Sequence, residues 1–364
     1  MAFKLEKLLT DVFRPEAGEV VTVACDLPRP GIEDTPAWAG RRQMAREWLE
    51  AFQSLGARVG FTVNPPLTYP ATGSHNAQLP HGALLGDREV DFEVALLGST
   101  LAAFLTEFSA TAPLSALCLR KEDFRAASMP GIEKRMEQSA LSVDHRELAR
   151  RCRVLLDLLR EAERVEVTFS TGHHCVFDVR FRTPEMDDGF LPRHKAGDHI
   201  INLPSGETFI VPYEGELTGF PSNTEGRIPV KRGEELPVLV VAGNRITGVD
   251  GGGPEAEALR AFFGADPART NIAEVAFGCN DRAQVTGNLL EDEKAGFHWA
   301  FGRSEHLGGI VGPEAFAGPD TVVHYDIVYA PGNPIQVAEA VVVKQGKSTV
   351  VLRDGAYLVF GKRR

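Results

Sequence analysis

The sequence contains few cysteines, and they form no motif. Its five cysteines lie far apart, and no two of them make a Cys-x-x-Cys pair. Neither a disulfide framework nor a thiolate zinc site is therefore indicated. We expect these residues to be small buried hydrophobic side chains. They are Cys25, Cys118, Cys152, Cys175 and Cys279.

The sequence also lacks a long apolar run and an excess of positive charge. Its most apolar stretch, residues 94–105, is too short to span a bilayer, and residues 1–7 mix charges where a signal peptide needs an apolar core. The formal net charge is −11, so nucleic acid and anionic membranes would be repelled. We expect a cytoplasmic protein that binds neither.

The overall composition is typical of a folded enzyme or binding protein. Hydrophobic residues make up 43% of the chain and charged residues 24%, close to globular averages. A chain of 364 residues is too long for one ordinary core, which favours two domains.

The first half alternates strand-like and helix-like segments. Such alternation predicts an α/β domain of three layers with an open sheet, which we assign to residues 1–163. The predicted strands are residues 19–25, 58–63, 92–97 and 114–119, and the predicted helices are residues 38–55 and 144–162.

After residue 163 the apolar residues recur with a period of two. Residues 164–181 alternate around Thr171-Gly172, which predicts a β-hairpin, and a helix is predicted at 254–263 after the turn formed by three glycines. We therefore expect residues 164–364 to form a mixed, mostly antiparallel, β-rich α+β catalytic domain. Its further predicted strands are residues 208–211, 236–241, 322–329, 340–343 and 348–352.

The sharpest chemical signal is the pair His324 and Asp326 within a predicted strand. Residues i and i+2 of a strand share a face, so both side chains can reach one ion while Tyr325 points away. An imidazole and a carboxylate suit Zn²⁺, Mn²⁺ or Fe²⁺. Taken alone, such a pair is more often a surface or hydrogen-bonded pair.

Three further residues support a metal site. Glu207 follows a Pro/Gly turn at the start of an apolar strand, and Glu274 is embedded in an apolar run where an unpaired carboxylate would be costly. His298 is flanked by aromatic residues, a setting that also suits a core histidine. Together with His324 and Asp326 they make five candidate metal ligands.

Four segments in this order resemble the thermophilic aminopeptidase (aminopeptidase T) family of metallopeptidases: residues 201–207, 272–275, 287–294 and 324–326. The resemblance implies an N-terminal α/β domain, a β-rich catalytic domain, a homodimer and two divalent ions, zinc, cobalt or manganese. It also implies that two glutamates, two histidines and an aspartate bind these ions. By position those ligands are Glu207, Glu274, His298, His324 and Asp326.

The chain departs from the family pattern near His298. The segment that leads from Lys294 to this histidine is shorter, and Glu305 stands where the peptidases place a tyrosine that is expected to steady the oxyanion. The next residue, His306, is a candidate replacement donor, against the alternative of a solvated loop histidine. His199 is a weaker candidate for lining the site.

Two enzymatic functions follow. The first is a metallo-aminopeptidase-like hydrolase that cleaves N-terminal peptide bonds of short peptides, or a related small amide, with water activated by two ions and Glu207 or Glu274 as proton acceptor. The second is a mononuclear non-haem Fe(II) ring-cleaving dioxygenase of the dihydroxypyridine type, with His298, His324 and Asp326 as ligands. A mononuclear triad does not require both glutamates, so their presence favours the hydrolase. A metal-stabilised binding protein without catalytic activity is a third alternative.

Overall fold

The computed structural model describes residues 3–197 and 199–361. Its α-helices and β-strands are numbered here separately in chain order. The helices are α1 (Leu5–Phe13), α2 (Pro36–Val59), α3 (Phe92–Leu97), α4 (Thr111–Cys118), α5 (His145–Leu159), α6 (Pro254–Ala265) and α7 (Leu289–Asp292). The strands are β1 (Val20–Leu27), β2 (Thr62–Val63), β3 (Leu67–Pro70), β4 (Gly82–Leu85), β5 (Arg88–Asp91), β6 (Leu101–Thr106), β7 (Arg125–Pro130), β8 (Arg164–Phe169), β9 (His174–Asp178), β10 (Glu185–Asp187), β11 (Ile200–Asn202), β12 (Glu207–Ile210), β13 (Glu225–Pro229), β14 (Val238–Ala242), β15 (Arg245–Asp250), β16 (Ile272–Gly278), β17 (Phe297–Gly302), β18 (His324–Tyr329), β19 (Val337–Lys344), β20 (Lys347–Arg353) and β21 (Ala356–Tyr357).

The chain divides into two compact units. The first takes the chain up to Ala149 together with Asp187–Ser205 and Asn280–Gln284, and the second takes the remainder. The sequence-based boundary at residue 163 assigned residues 187–205 and 280–284 to the second domain. Within residues 187–205, strand β11 joins the first unit because it pairs in parallel with β7. In the described residues, every helix is too short or too polar to cross a bilayer.

The first unit contains an eight-stranded sheet with helices on both faces. Its strand order is β11-β7-β6-β1-β3-β4-β5, and β2 also pairs with β1. The central pairs are parallel, whereas β3, β4 and β5 pair antiparallel. Helices α3 and α4 pack on one face against Ala24 and Phe104, and α2 packs against β1 and β6 with Trp48 and Phe52 buried. The predicted three-layer α/β architecture is confirmed.

Two of the predicted strands in this unit are wrong. Residues 92–97 form α3, and most of residues 114–119 lie in α4. A short apolar run does not distinguish a buried strand from a buried helix. At α3 the deciding feature is local, because the carboxylate of Asp91 caps the helix by accepting a hydrogen bond from the Val94 N–H. The predicted strand 58–63 is also mostly wrong, since α2 continues to Val59 and only β2 remains.

The second unit is β-rich, and all of its strand pairs with a described register are antiparallel, as predicted. One sheet has the order β10-β12-β16-β17-β18, and the other β15-β14-β13-β9-β8-β19-β20-β21. The predicted hairpin is β8–β9, and the predicted helix is α6. The ring centroids of Phe177 and Phe297 are 6.5 Å apart, and those of Phe169 and Tyr329 are 4.9 Å apart. These contacts pack the two sheets against each other.

Candidate metal centre

All five predicted metal ligands lie on adjacent strands of the five-stranded sheet. Glu207 begins β12, Glu274 lies in β16, His298 in β17, and His324 and Asp326 in β18. Successive side chains of a strand point to opposite faces, and the Phe297 side of β17 packs on the other sheet. The five side chains therefore share the opposite face.

Strand register places small residues between the candidate ligands. Ala300 pairs with Glu274 on one side and with Asp326 on the other, so a methyl group separates two carboxylates in one row of the sheet. His324 pairs with Gly302. A Cβ atom on Gly302 would lie 2.2 Å from the carbonyl oxygen of Val323, so only glycine fits there. These small side chains leave the space into which the ligands project.

The side chains converge as two groups that share one carboxylate. One candidate donor atom from each of Glu207, Glu274 and His298 lies within 4.8 Å of the others, and the same holds for Glu274, His324 and Asp326. Glu274 Oε1 is 3.8 Å from His298 Nε2, and its Oε2 is 3.0 Å from His324 Nε2. His298 Nε2 is 3.2 Å from Glu207 Oε2, and His324 Nε2 is 3.5 Å from Asp326 Oδ1. Glu274 therefore faces both histidines, one with each oxygen.

Backbone carbonyl groups orient both imidazoles. His298 Nδ1 lies 3.3 Å from the carbonyl oxygen of Gly296, and His324 Nδ1 lies 2.7 Å from that of Arg303. A carbonyl oxygen only accepts hydrogen bonds, so each Nδ1 carries the proton and donates it. In the neutral ring, Nε2 then presents its lone pair toward the carboxylates. Histidines that bind metal ions usually have this arrangement.

One buried oxygen supports a bound cation. Glu207 Oε2 is buried and lies 3.2 Å from His298 Nε2, which can donate a hydrogen bond to it only when the imidazole is doubly protonated. An unpaired buried carboxylate oxygen is costly. A divalent ion between these two atoms would satisfy both, so the residues present fit a metal that accepts imidazole and carboxylate ligands.

The neighbouring carboxylates raise the pKa of both histidines. Burial would lower the pKa of His298, but the carboxylates of Glu207, Glu274 and Asp326 together outweigh burial and raise this pKa to about 9. At His324 burial also acts to lower the pKa, but Asp326 and Glu274 hold the pKa well above its ordinary value. A pocket that favours protons so strongly also favours a metal cation, which would displace them.

Glu293 and Lys294 are additional charged residues at the centre, and sequence reasoning missed both. The Lys294 side chain is fully buried, with Nζ 2.5 Å from Glu207 Oε1 and 2.5 Å from Glu293 Oε1. Burial raises the pKa of Glu293 to about 8 despite the lysine. At Glu207 the balance is opposite, because Lys294 and His298 outweigh burial and lower the pKa to about 2. The available signal was their place in the family-like segment 287–294.

His306 lies beside the centre and is not a solvated loop residue. Its ring centroid is 5.1 Å from that of His324, and its side chain is 16% exposed. The loop is fixed by the buried carboxylate of Glu214, which accepts hydrogen bonds from Ser304 Oγ and from the Ile310 N–H. His199 belongs to the first unit, where its Nε2 is 3.1 Å from the carbonyl oxygen of Lys195, and it joins neither metal group.

The protein therefore has an α/β unit and a β-rich unit, and the β-rich unit carries a candidate metal centre. No protein-family model and no curated protein matches the sequence. Among solved structures, the chain is similar to a 2,5-dihydroxypyridine dioxygenase from Pseudomonas putida KT2440, with a TM-score of 0.65 and 18% identity over 97% of this chain and 96% of that one. It is also similar to AmpT from Thermus thermophilus, with a TM-score of 0.57 and 17% identity over 98% and 99% of the two chains. These likenesses establish a shared fold with two enzymes and a distant structural relationship to aminopeptidase T.

Proposed function

We propose that the chain is a metal-dependent aminopeptidase-like hydrolase that acts on N-terminal peptide bonds of short peptides or on a related small amide. The observation that carries the proposal is the shared carboxylate of Glu274, whose two oxygens face two separate ligand groups. Such an arrangement suits two ions, which we expect to be zinc, cobalt or manganese. The fold shared with AmpT supports the same reading. Homodimerisation and a cytoplasmic location remain expectations.

When bound, a pair of divalent ions would polarise the substrate carbonyl and lower the pKa of a water molecule. The protein contributes orientation and proton transfer around that pair. The backbone contacts of His298 and His324 hold both Nε2 atoms toward the carboxylates. Glu207 or Glu274 would accept the proton of the attacking water, and His306, beside His324, would donate a hydrogen bond to the oxyanion.

A mononuclear iron dioxygenase is the second candidate, and the shared fold with the 2,5-dihydroxypyridine dioxygenase favours it. This alternative needs His298, His324 and Asp326 around one ion. Among the described residues, the two histidines instead fall into different ligand groups, one with Glu207 and the other with Asp326. This separation supports the two-ion hydrolase over the triad.

The test combines metal analysis with two activity assays. Metal-loaded protein is expected to hold two ions per chain and to release N-terminal residues from a panel of short peptides. A parallel assay follows oxygen consumption with Fe²⁺ and hydroxylated pyridines. Ring cleavage with stoichiometric oxygen uptake, one ion per chain and no peptide turnover would overturn the proposal in favour of the dioxygenase.

A further inference from the structure

Lys294 places a fixed positive charge inside one half of the candidate metal centre. Its Nζ is 2.5 Å from Glu207 Oε1, and the side chain is fully buried. The turn that carries it packs tightly on β16, because a Cβ atom on Gly278 would lie 2.1 Å from the carbonyl oxygen of Glu293. Gly278 is also the residue that pairs with Glu207. Glycine at this position therefore brings the lysine next to the glutamate.

The other half of the centre has no comparable cation. Among the ion pairs of the described residues, Asp326 pairs with His324 alone, and no lysine or arginine contacts Glu274. In the group Glu274–His324–Asp326, no lysine or arginine therefore competes with an ion for a carboxylate oxygen. In the group with His298, Lys294 already holds Glu207 Oε1, which leaves only Oε2, beside His298 Nε2, as an oxygen ligand for an ion.

We propose that Lys294 makes the two ion positions unequal, so that the Glu274–His324–Asp326 group binds its ion more tightly than the Glu207–Glu274–His298 group. This inference rests on the proposed two-ion function. Its physical basis is twofold. The ammonium group repels a divalent ion in the nearer position, and the effect is weaker at the farther one. It also limits Glu207 to one oxygen ligand. Lys294 is a positioning residue that acts through Glu207.

The experiment is a metal titration of chelator-stripped full-length protein with Zn²⁺, followed by calorimetry and by metal analysis after dialysis. We expect the wild-type protein to bind two ions with affinities at least tenfold apart. Lys294→Gln should strengthen the weaker site at least tenfold, whereas Lys294→Arg, which keeps the charge, should retain the gap. Lys344→Gln removes a lysine charge from β19, in the other sheet of the unit, and should change neither affinity.

A second variant guards against loss of folding. Lys294→Gln leaves two buried carboxylates without their cation, so the double variant Glu293→Gln/Lys294→Gln is titrated as well, and circular dichroism establishes that each variant folds. Two equal sites in the wild-type protein, or an unchanged gap in the folded glutamine variants, would overturn the role of Lys294 and leave the two-ion function standing. A calorimetric titration that saturates at one ion or none per wild-type chain would overturn both.

Discussion

Glu19 and Glu207 are both buried glutamates, but their surroundings differ. In the first unit, the Arg125 guanidinium donates to both oxygens of Glu19 and also to the carbonyl oxygen of Leu191. All strong polar groups of that pair are therefore satisfied within the protein. At Glu207 one oxygen pairs with Lys294, and the other faces only His298 Nε2, which donates to it only in its doubly protonated form. This difference favours a structural role for the first pair and supports the proposal that Glu207 is a metal ligand.

The residue-level test of the metal centre is His324→Ala. The substitution removes the one imidazole of the Glu274–His324–Asp326 group, so we expect loss of one ion per chain. Activity should fall more than about a hundredfold, since even residues that only orient metal ligands contribute 10- to 100-fold. The matched control is His174→Ala at an exposed position of β9. Unchanged metal content in His324→Ala, measured by atomic spectroscopy, would contradict the assignment.

Asp26 gives a prediction for pH dependence in the first unit. Burial outweighs the hydrogen bonds that its carboxylate accepts from the Glu107 and Phe108 N–H groups, and raises the pKa from 3.8 to about 6. Between these values the folded protein holds a proton that the unfolded chain has released. The free energy of unfolding should therefore fall as pH rises from about 4 to about 6, by about 3 kcal/mol at about 1.4 kcal/mol per pKa unit.

The measurement compares urea unfolding of wild-type protein and Asp26→Asn between pH 4 and pH 7. Other titrating groups affect both proteins alike, so the difference between them isolates Asp26. The wild-type protein should lose stability relative to the variant as the pH rises. Asp87→Asn, in an exposed turn, controls for the loss of one charge. A difference that is constant across the pH range would refute this account.

At the scale of elements, the centre depends on the register of three strands. The prediction that His324 and Asp326 share a face needed only the two-residue period of one strand, and the structure agrees with it. That Ala300 separates Glu274 from Asp326 could not be predicted, because register depends on pairing between segments far apart in the chain. The sequence therefore indicated which candidate ligands come together but not which small residues separate them.

Ala300→Leu tests this register. The larger side chain would project between the carboxylates of Glu274 and Asp326 and fill the space for an ion. We expect metal binding to be lost, with destabilisation of about 1–3 kcal/mol from overpacking. Ala300→Ser, which adds a single oxygen atom, should retain metal binding. Retention of two ions by a folded Ala300→Leu variant would show that this row of the sheet does not face the centre.

Gly302 tests the close approach of β17 and β18. Its φ of +106° disfavours any side chain, and a Cβ atom would meet the Val323 carbonyl oxygen. Gly302→Ala should therefore lower the free energy of unfolding by more than about 1 kcal/mol. Gly243→Ala is the matched control, since Gly243 has a φ of +57° with open space around it. Equal losses in the two variants would mean that φ alone accounts for the effect.

For the whole molecule, local sequence patterns predicted much of the local structure, with α3 and α4 as exceptions, and failed for long-range structure. The β8–β9 hairpin, α2 and α6 follow from periodicity, Pro/Gly signals and side-chain burial within one segment. Strand β11 joins the sheet of the first unit by pairing with β7, which lies some 70 residues earlier in the chain. No local sequence pattern encodes that pairing. The contact between Lys294 and Glu207 could not be predicted for the same reason, because only the folded chain brings the two residues together.

The location of the centre predicts which part of the molecule a metal stabilises. All five candidate ligands lie in the second unit, so bound ions should stabilise that unit, by about 2.7 kcal/mol when free metal is a hundredfold above its dissociation constant. Hydrogen exchange, followed by mass spectrometry with and without chelator, measures the effect segment by segment. Metal should slow exchange in β16, β17 and β18 by up to about a hundredfold and leave β1 and β6 unchanged. Slowing of equal size in β1 and β6 would contradict a site confined to the second unit, and no slowing anywhere would contradict the metal centre itself.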